Sequence, residues 1–511
     1  MFNAFALFRS LLIYGVCLPL AIFLGYLLSS PDDSTNAGIV LMMLGVLLLP
    51  VILRHHHPFL VLSWNMSAMA FFLPGKPLIW LPVVLLSFLI SILQFTLDKK
   101  NAFLPSGPVA FPLLCLGLVV LVTAELTGGI GLRVAGAGSY GGRRYISILA
   151  AIAGFFALSA KAIPGERANF YVRMYLLAAL TAGIGNLATV ISPSLYFIFW
   201  LFPPDFAELT SMAISDATNS GAVVRYGGLA TMGSALAVFM MASLGIRKLF
   251  DPTKFWRLAA FLVFCGTTSL GGYRSALIFL GLVFMVQFYL EGLFRTRLLP
   301  ILSLSAVMVL AAVLPFAKHL PLSVQRTLSF LPIEIDTMTA MDAEGSVEWR
   351  LAMWERTVPE VPHYLLLGKG YGIDPGVFEM VEANNMKGFE PFEAAYLAGD
   401  YHSGPLSVVM PFGIWGVFGF LWFLQAGTKA LYRNYRYSPP ELKGTNTFFL
   451  AYFVAKVIFF FAVFGSLYSD MPWFTGVLGL SIALNGGILG PAPAPMAETA
   501  VPRFKLITIT R

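Results

Sequence analysis

Charge is scarce in this chain. Only 12% of its 511 residues are Asp, Glu, Lys or Arg, while 58% are hydrophobic. Soluble domains carry about twice that share of charge, so a soluble enzyme or carrier is excluded. Cysteine is scarce too: Cys17, Cys115 and Cys265 each lie inside an apolar run, far from one another. That spacing argues against a disulfide framework and against a zinc site. The sequence has no nucleophile elbow, phosphate-binding lysine loop, Rossmann glycine fingerprint or paired cysteine ligand set. It has no visible internal repeat, which weakens a transporter built from inverted repeats. The His55-His56-His57 run invites a metal reading, but adjacent histidines do not share a helix face. No metal and no cofactor are expected. The formal charge of +7 does not argue for nucleic acid, because cytoplasmic loops of membrane proteins collect Lys and Arg.

Long apolar runs are what the chain has instead. Mean hydropathy is +0.79, and many segments reach the ~20 residues needed to cross a ~30 Å hydrocarbon layer. The expected fold is an all-α polytopic membrane protein of about 12–14 transmembrane helices with one large external helical loop. Apolar spans fall near 10–29, 37–53, 58–73, 78–97, 108–127, 145–161, 171–190, 228–246, 256–270, 274–293, 298–316, 404–426, 447–466 and 473–490. Pro74, Pro77 and Pro82 make the pair 58–73 and 78–97 the least regular. Segment 195–202 is too short to cross and suits the interface, with Tyr196 and Trp200 at headgroup level. The first run lacks a small-x-small cleavage site and precedes Asp32 and Asp33, so it reads as an uncleaved span. Four regions follow: a bundle over 1–316, a loop over 317–403, further spans over 404–490, and a disordered tail over 491–511.

Loop charge sets the orientation. Arg54, Lys99-Lys100, Lys161, Arg247-Lys248, Arg295 and Lys429 through Arg436 fall on one side, which the positive-inside rule makes cytoplasmic, with both termini. Loops 191–227, 271–273, 317–403 and 468–470 fall opposite, as does 128–144, which breaks the trend with Arg133, Arg143 and Arg144.

Loop 317–403 is the long water-loving stretch, with six cations against thirteen carboxylates. A helix is expected from an N-cap at Ser346 to about Thr357, before Pro359 and Pro362. It would place Arg350 and Trp354 on one face and Trp349, Met353 and Arg356 on a neighbouring one. Indole and guanidinium groups suit a lipid boundary where phosphate is to be held. The same helix also reads as a plain interfacial one, its arginines paired to Glu348, Glu355 or Glu360. Arg274, in Gly271-Gly272-Tyr273-Arg274-Ser275, and Arg225, before Tyr226-Gly227-Gly228, sit at the outer ends of spans. An arginine at membrane depth costs about 2.5–3.5 kcal/mol at the centre, so it has a partner or a task; the plain alternative is snorkelling. His402 titrates near neutrality and can take a proton from an attacking hydroxyl, or it is simply a boundary residue. Asp400 orients it or shares the role, while His363 and His319 are weaker candidates.

Together Trp349-Arg350-Leu351-Ala352-Met353-Trp354, Pro359, Leu367-Gly368-Lys369-Gly370-Tyr371-Gly372, Tyr401-His402-Ser403-Gly404 and Phe412-Gly413-Ile414-Trp415-Gly416 resemble the O-antigen ligase and O-antigen polymerase superfamily of bacterial envelope glycosyltransferases. Gly272-Tyr273-Arg274-Ser275 and Arg225-Tyr226-Gly227-Gly228 are similar to that family's further arginine turns, and the resemblance covers about residues 220–426. The chain departs from the pattern at Ser403, where an asparagine is usual, and at Leu229-Ala230-Thr231, where a Pro-Asn is missing.

The resemblance implies a membrane-embedded C-type glycosyltransferase fold in the inner membrane, with its site facing the periplasm and working without metal or nucleotide. It implies a glycan donor on undecaprenyl pyrophosphate and a glycan or lipid A-core acceptor. Arg350, Arg274 and Arg225 would hold the pyrophosphate and His402 would activate the acceptor, with Arg356, Trp354 and Lys369 bordering the substrate. A transporter or flippase of an anionic lipid or solute is the alternative. It predicts charge at mid-membrane, where Lys456 and Glu125 are the exceptions to an otherwise end-charged pattern.

Overall fold

The computed structural model describes residues 14–15, 18–19, 21–27, 29, 34–97, 104, 106–130, 140–204, 223–386 and 393–491. Among these the chain is helical, and its β-pairing is confined to isolated bridges at Met69–Leu78 and Tyr140–Ile373. The all-α fold expected from hydropathy is therefore what forms. The bundle comprises α1 (Ser34–Leu47), α2 (Leu49–Ser63), α3 (Trp80–Leu97), α4 (Gly107–Thr127), α5 (Gly142–Leu158), α6 (Ala168–Leu177), α7 (Ala182–Ile191), α8 (Gly227–Leu249), α9 (Trp256–Ser269), α10 (Arg274–Leu290) and α11 (Leu298–Val313). The loop folds as α12 (Leu322–Thr327), α13 (Thr337–Thr357), α14 (Val361–Tyr364), α15 (Pro375–Met386) and α16 (Glu393–Leu397). Then α17 (Gly404–Arg436), α18 (Lys443–Ala462) and α19 (Leu467–Asn485) re-enter the bundle.

Seven helices are long and apolar enough to cross a membrane among the described residues, or eight if the pair Gly38–Leu47 and Pro50–Ser63, bent by 102°, is one span. The 12–14 runs expected from hydropathy also include shorter helices, α19 and a first run that lies partly outside the described residues. The runs near 145–161, 256–270 and 274–293 fold as helices of 17, 14 and 17 residues, shorter than the ~20 of a full crossing. The run 58–73 is not a helix of its own: α2 ends at Ser63, and residues 64–79 form irregular backbone tied by the Met69–Leu78 bridge. Segment Pro193–Trp200 is a short 3₁₀ stretch. Expectations for Asp32, Asp33, Lys99, Lys100, Arg133, Lys387 and the tail 492–511 lie outside the described residues, as does part of the first span.

Helices pack chiefly as α5 on α19, α4 on α17, α8 on α9 and α10 on α18. Between helices in lipid, close packing replaces the hydrophobic drive. Aromatic rings supply that packing: Phe420, Phe453, Phe460 and Phe474 are fully buried, with Phe420–Phe460 and Phe453–Phe474 centroids 5.1 and 5.3 Å apart. Polar groups inside find partners. His56 bonds Ser87 Oγ at 2.8 Å and His57 bonds the Leu158 carbonyl at 2.8 Å, so both act as satisfied core residues. Lys456 pairs with Asp470 at 2.7 Å.

The starts of α5, α8, α10, α17 and α19 all lie at the end of the bundle that carries the folded loop. Contacts fix this: Arg225 reaches Asp342, Arg274 reaches Ala343, Tyr140 pairs with Ile373, and Leu467 N–H donates to Ser407 Oγ. Arg143 and Arg144, the exceptions to the charge pattern, are at this end as well. Arg247, Lys248 and Arg433 cluster at the other.

One long helix is deliberately interrupted. Pro411 removes a donor and Gly413 (φ +59°, ψ −157°) breaks α17 at its loop end. The freed backbone groups bond to the Leu367–Gly372 turn: Lys369 N–H donates to Met410 O at 2.7 Å, Gly370 N–H to Pro411 O at 3.0 Å, and Ile414 N–H to Leu365 O at 2.7 Å. Glycine is required on both sides of this seam. A Cβ at Gly368 (φ +78°) would lie 2.2 Å from Pro411 O, and one at Gly413 would lie 2.6 Å from Leu365 O.

Candidate active site

The scaffold is α13. Asp336 caps it, its carboxylate accepting the Met338 and Thr339 N–H groups at 3.0 and 3.2 Å. The helix therefore begins nine residues before the cap expected at Ser346, which lies inside it, and ends at Thr357 as the prolines require. Met353 is fully buried and anchors the helix. Trp354 Nε1–H donates to the Tyr401 carbonyl at 2.7 Å, which fixes the backbone just before His402.

His402 sits in the left-handed region (φ +48°). Such a backbone costs on the order of 1–3 kcal/mol in a non-glycine residue, and surrounding contacts must hold it there. Here they are two rings. Trp349 packs edge-on at 4.9 Å and Phe464 at 5.1 Å between centroids. Asp400 Oδ2 is 3.9 Å from His402 Nε2, too long for a hydrogen bond. His402 Nδ1 is buried and has no hydrogen-bond partner among the described residues. Burial lowers the imidazole pKa below its ordinary 6.5; Asp400 opposes this and Arg350 adds to it. The downward shift favours the neutral imidazole, the form that can accept a proton.

The charge of Arg350 reaches it, and further arginines stand at the same end of the bundle. Arg350 is half-buried on α13, and no carboxylate among the described residues pairs with it. Burial and then the charge of Arg274 lower its pKa, which places these two guanidinia within each other's field; a guanidinium nonetheless stays charged. Arg274, the first residue of α10, donates from Nη2 to Ala343 O at 2.9 Å. Arg225 binds both oxygens of Asp342 at 3.0 Å. Asp342 is shared with Arg326, whose Nη1–H also bonds the Gly272 carbonyl. Burial raises the Asp342 carboxyl, but Arg326 and Arg225 outweigh it and the net direction is down.

Arg225, Arg274, Arg350 and His402 thus gather at the loop end of the bundle, as the sequence motifs suggest. Sequence reasoning counted Arg326 only as a loop cation and passed over Asp342. A buried arginine needs a partner, and Asp342 lies sixteen residues on, a separation that no local pattern reveals.

Two expected site residues are engaged elsewhere. Arg356 binds Glu393 at 3.4 Å and lies over the Tyr396 ring at 4.9 Å. Lys369 Nζ donates to Tyr396 Oη at 3.0 Å, and Tyr396 in turn donates to Glu360. Burial lowers the Lys369 pKa, with Glu360 opposing it. This network packs against the Tyr401 ring, whose centroid lies 6.1 Å from that of Tyr396. His319 and His363 are exposed.

The arrangement can hold an anion against two guanidinia and take a proton beside it. Residues 258–421 match the family model described as O-antigen ligase, a span that contains Arg274, Arg326, Arg350 and His402. Arg225 lies before it. No curated protein matches the chain significantly. The motifs quoted from the sequence, the matched segment and the multi-pass helical fold agree, and the match over residues 258–421 supports the O-antigen ligase and polymerase superfamily for that segment.

Proposed function

We propose that this O-antigen ligase-like membrane glycosyltransferase moves a glycan from undecaprenyl pyrophosphate to an acceptor hydroxyl, as ligase or repeat-unit polymerase, at the periplasmic face of the inner membrane. The observation that carries the reading is an imidazole whose pKa burial lowers and whose Nδ1 has no partner among the described residues, within the field of Arg350, which has no carboxylate partner among them either. In the proposed reaction the acceptor oxygen attacks the sugar C1. The C1–O bond to phosphate breaks, and its electron pair leaves with the diphosphate. His402 takes the hydroxyl proton, a role that contributes about 10²–10⁴-fold. Arg350 and Arg274 hold the diphosphate and offset its growing charge. A diphosphate leaves without a strong acid, and the reading needs no metal. Arg225 supports the same pocket through Asp342, and Trp354 positions His402 through Tyr401 O. Arg356 and Lys369 frame the loop behind them.

The test is in cells. Arg350→Ala, Arg274→Ala and His402→Ala are expected to accumulate lipid-linked glycan at unchanged protein level. Normal surface glycan in all three variants would overturn the reading.

A further inference from the structure

A cavity opens at the loop end, and the proposed reaction does not use it. It encloses about 710 Å³ between α2, α3, α5 and α19, a size common for small-ligand sites, which run to about 300–1,000 Å³. Trp80, Tyr140, Tyr468 and Trp473 supply rings to its wall, and Arg143 and Arg144 supply charge. No Asp or Glu is among the described residues that line it. The sequence makes this a local rule: between Glu125 and Glu166 there is no acidic residue at all. Arg143 is exposed, and Arg144 is held over the Tyr468 and Tyr371 rings at 4.9 and 5.5 Å instead of by a carboxylate. A cation docked on rings keeps its N–H fork available for an anion.

The cavity is joined to the candidate active site by a short stretch of backbone. Ala398 lines it, and a Cβ at Gly399 (φ +69°) would lie 3.9 Å from Arg144 Nη1. Three residues later the chain reaches His402. Segment 398–402 therefore has the ring-and-arginine cavity at one end and the imidazole at the other. Arg143 and Arg144 also lie outside residues 258–421, so the family match does not account for them.

We propose that this cavity binds an acidic saccharide, a sugar carrying carboxylate or phosphate, and presents its chain toward His402. Flat rings accept the apolar faces of pyranoses, the serine, tyrosine and asparagine groups of the wall meet hydroxyls, and the two guanidinia select the negative charge. The sugar belongs either to the acceptor or to the distal part of the donor glycan. This step rests on the transferase reading only in naming His402 as its destination.

The full-length protein, purified in phosphatidylcholine nanodiscs, is titrated with tetragalacturonate and with neutral maltotetraose. The acidic probe is expected to bind at least tenfold more tightly. Arg144→Gln is expected to remove that preference, and Arg143→Gln, at an exposed position that folding tolerates, to reduce it severalfold. Arg350→Ala is expected to leave probe binding intact, which separates failure of the cavity from failure of the transfer mechanism. Equal binding of the two probes, binding of neither, or full binding in both arginine variants overturns the proposal. So does displacement of the probe when phosphatidylglycerol replaces phosphatidylcholine, which would mark a lipid headgroup site. In membranes of the producing cell, the double variant raises the KM of whichever substrate carries the acidic sugar. An unchanged KM for both overturns the proposal.

Discussion

Two arginines in the C-terminal part of α13 carry the same chemical group in opposite circumstances. Arg356, near its C-terminus, lies between Glu393 and the Tyr396 ring. Arg350, less than two turns earlier, faces His402 and Arg274 with no carboxylate beside it among the described residues. A cation whose charge is already met contributes to folding and offers little to a ligand. One held near other cations is unfavourable until an anion arrives. Asp342 shows the boundary between these cases, since it neutralises Arg225 and Arg326 and leaves Arg274 to a carbonyl.

The sharpest way to break this contrast is to remove the shared carboxylate. Asp342→Ala leaves the nearly inaccessible Arg326 unpaired, and breaking buried pairs costs about 3–5 kcal/mol. Asp342 is itself 38% exposed, so about 3 kcal/mol is expected, read as a lowered midpoint in thermal unfolding in detergent. Arg350→Lys tests whether the unpaired position needs a planar fork or only charge. A loss of about 10–100-fold in transfer, on the order of 1.4–2.7 kcal/mol in the barrier, is expected in a lipid-linked-glycan turnover assay, with unfolding unchanged. Activity equal to the parent would assign Arg350 a purely coulombic part.

Asp400→Asn sharpens the comparison through pH. The proposed base works unprotonated, and burial places its titration below 6.5, so the acid limb of the rate profile lies below that value. Asp400 opposes the downward shift. Its removal is therefore expected to extend activity to lower pH, and a limb that moves upward would contradict the assigned roles. Glu393→Gln is expected to do least. Its partner is more than a third exposed, and such pairs contribute about 0–1 kcal/mol, so both stability and turnover should stay near those of the parent.

Composition and hydropathy made the helical membrane fold legible, because apolar runs report on lipid whatever their partners. The gathering of Arg225, Arg274, Arg350 and His402 at one end was legible as well, because span ends and loop charge constrain which side each residue occupies. Pairing was not. Glu348, Glu355 and Glu360 were all reasonable partners for the α13 arginines by spacing, yet Arg356 binds Glu393, thirty-seven residues away. Trp354 read as a substrate-facing ring, while its indole nitrogen bonds Tyr401 O. The early start of α13 has its signal in Asp336, as good a cap by residue type as Ser346. Hydropathy marks α9 and α10 as apolar but does not reveal that their helices run for only 14 and 17 residues.

The splice between the glycine turn and the interrupted α17 constrains how the protein can move. Peeling Leu365–Gly370 away from Met410–Ile414 would strand several amides and carbonyls at once, at a cost of several kcal/mol each where water is excluded. The external domain is thus riveted to the membrane bundle at that seam and does not flap as a free lid. Any breathing that admits a bulky lipid-borne chain must pivot about it, with Gly368 and Gly413 as the fixed axle.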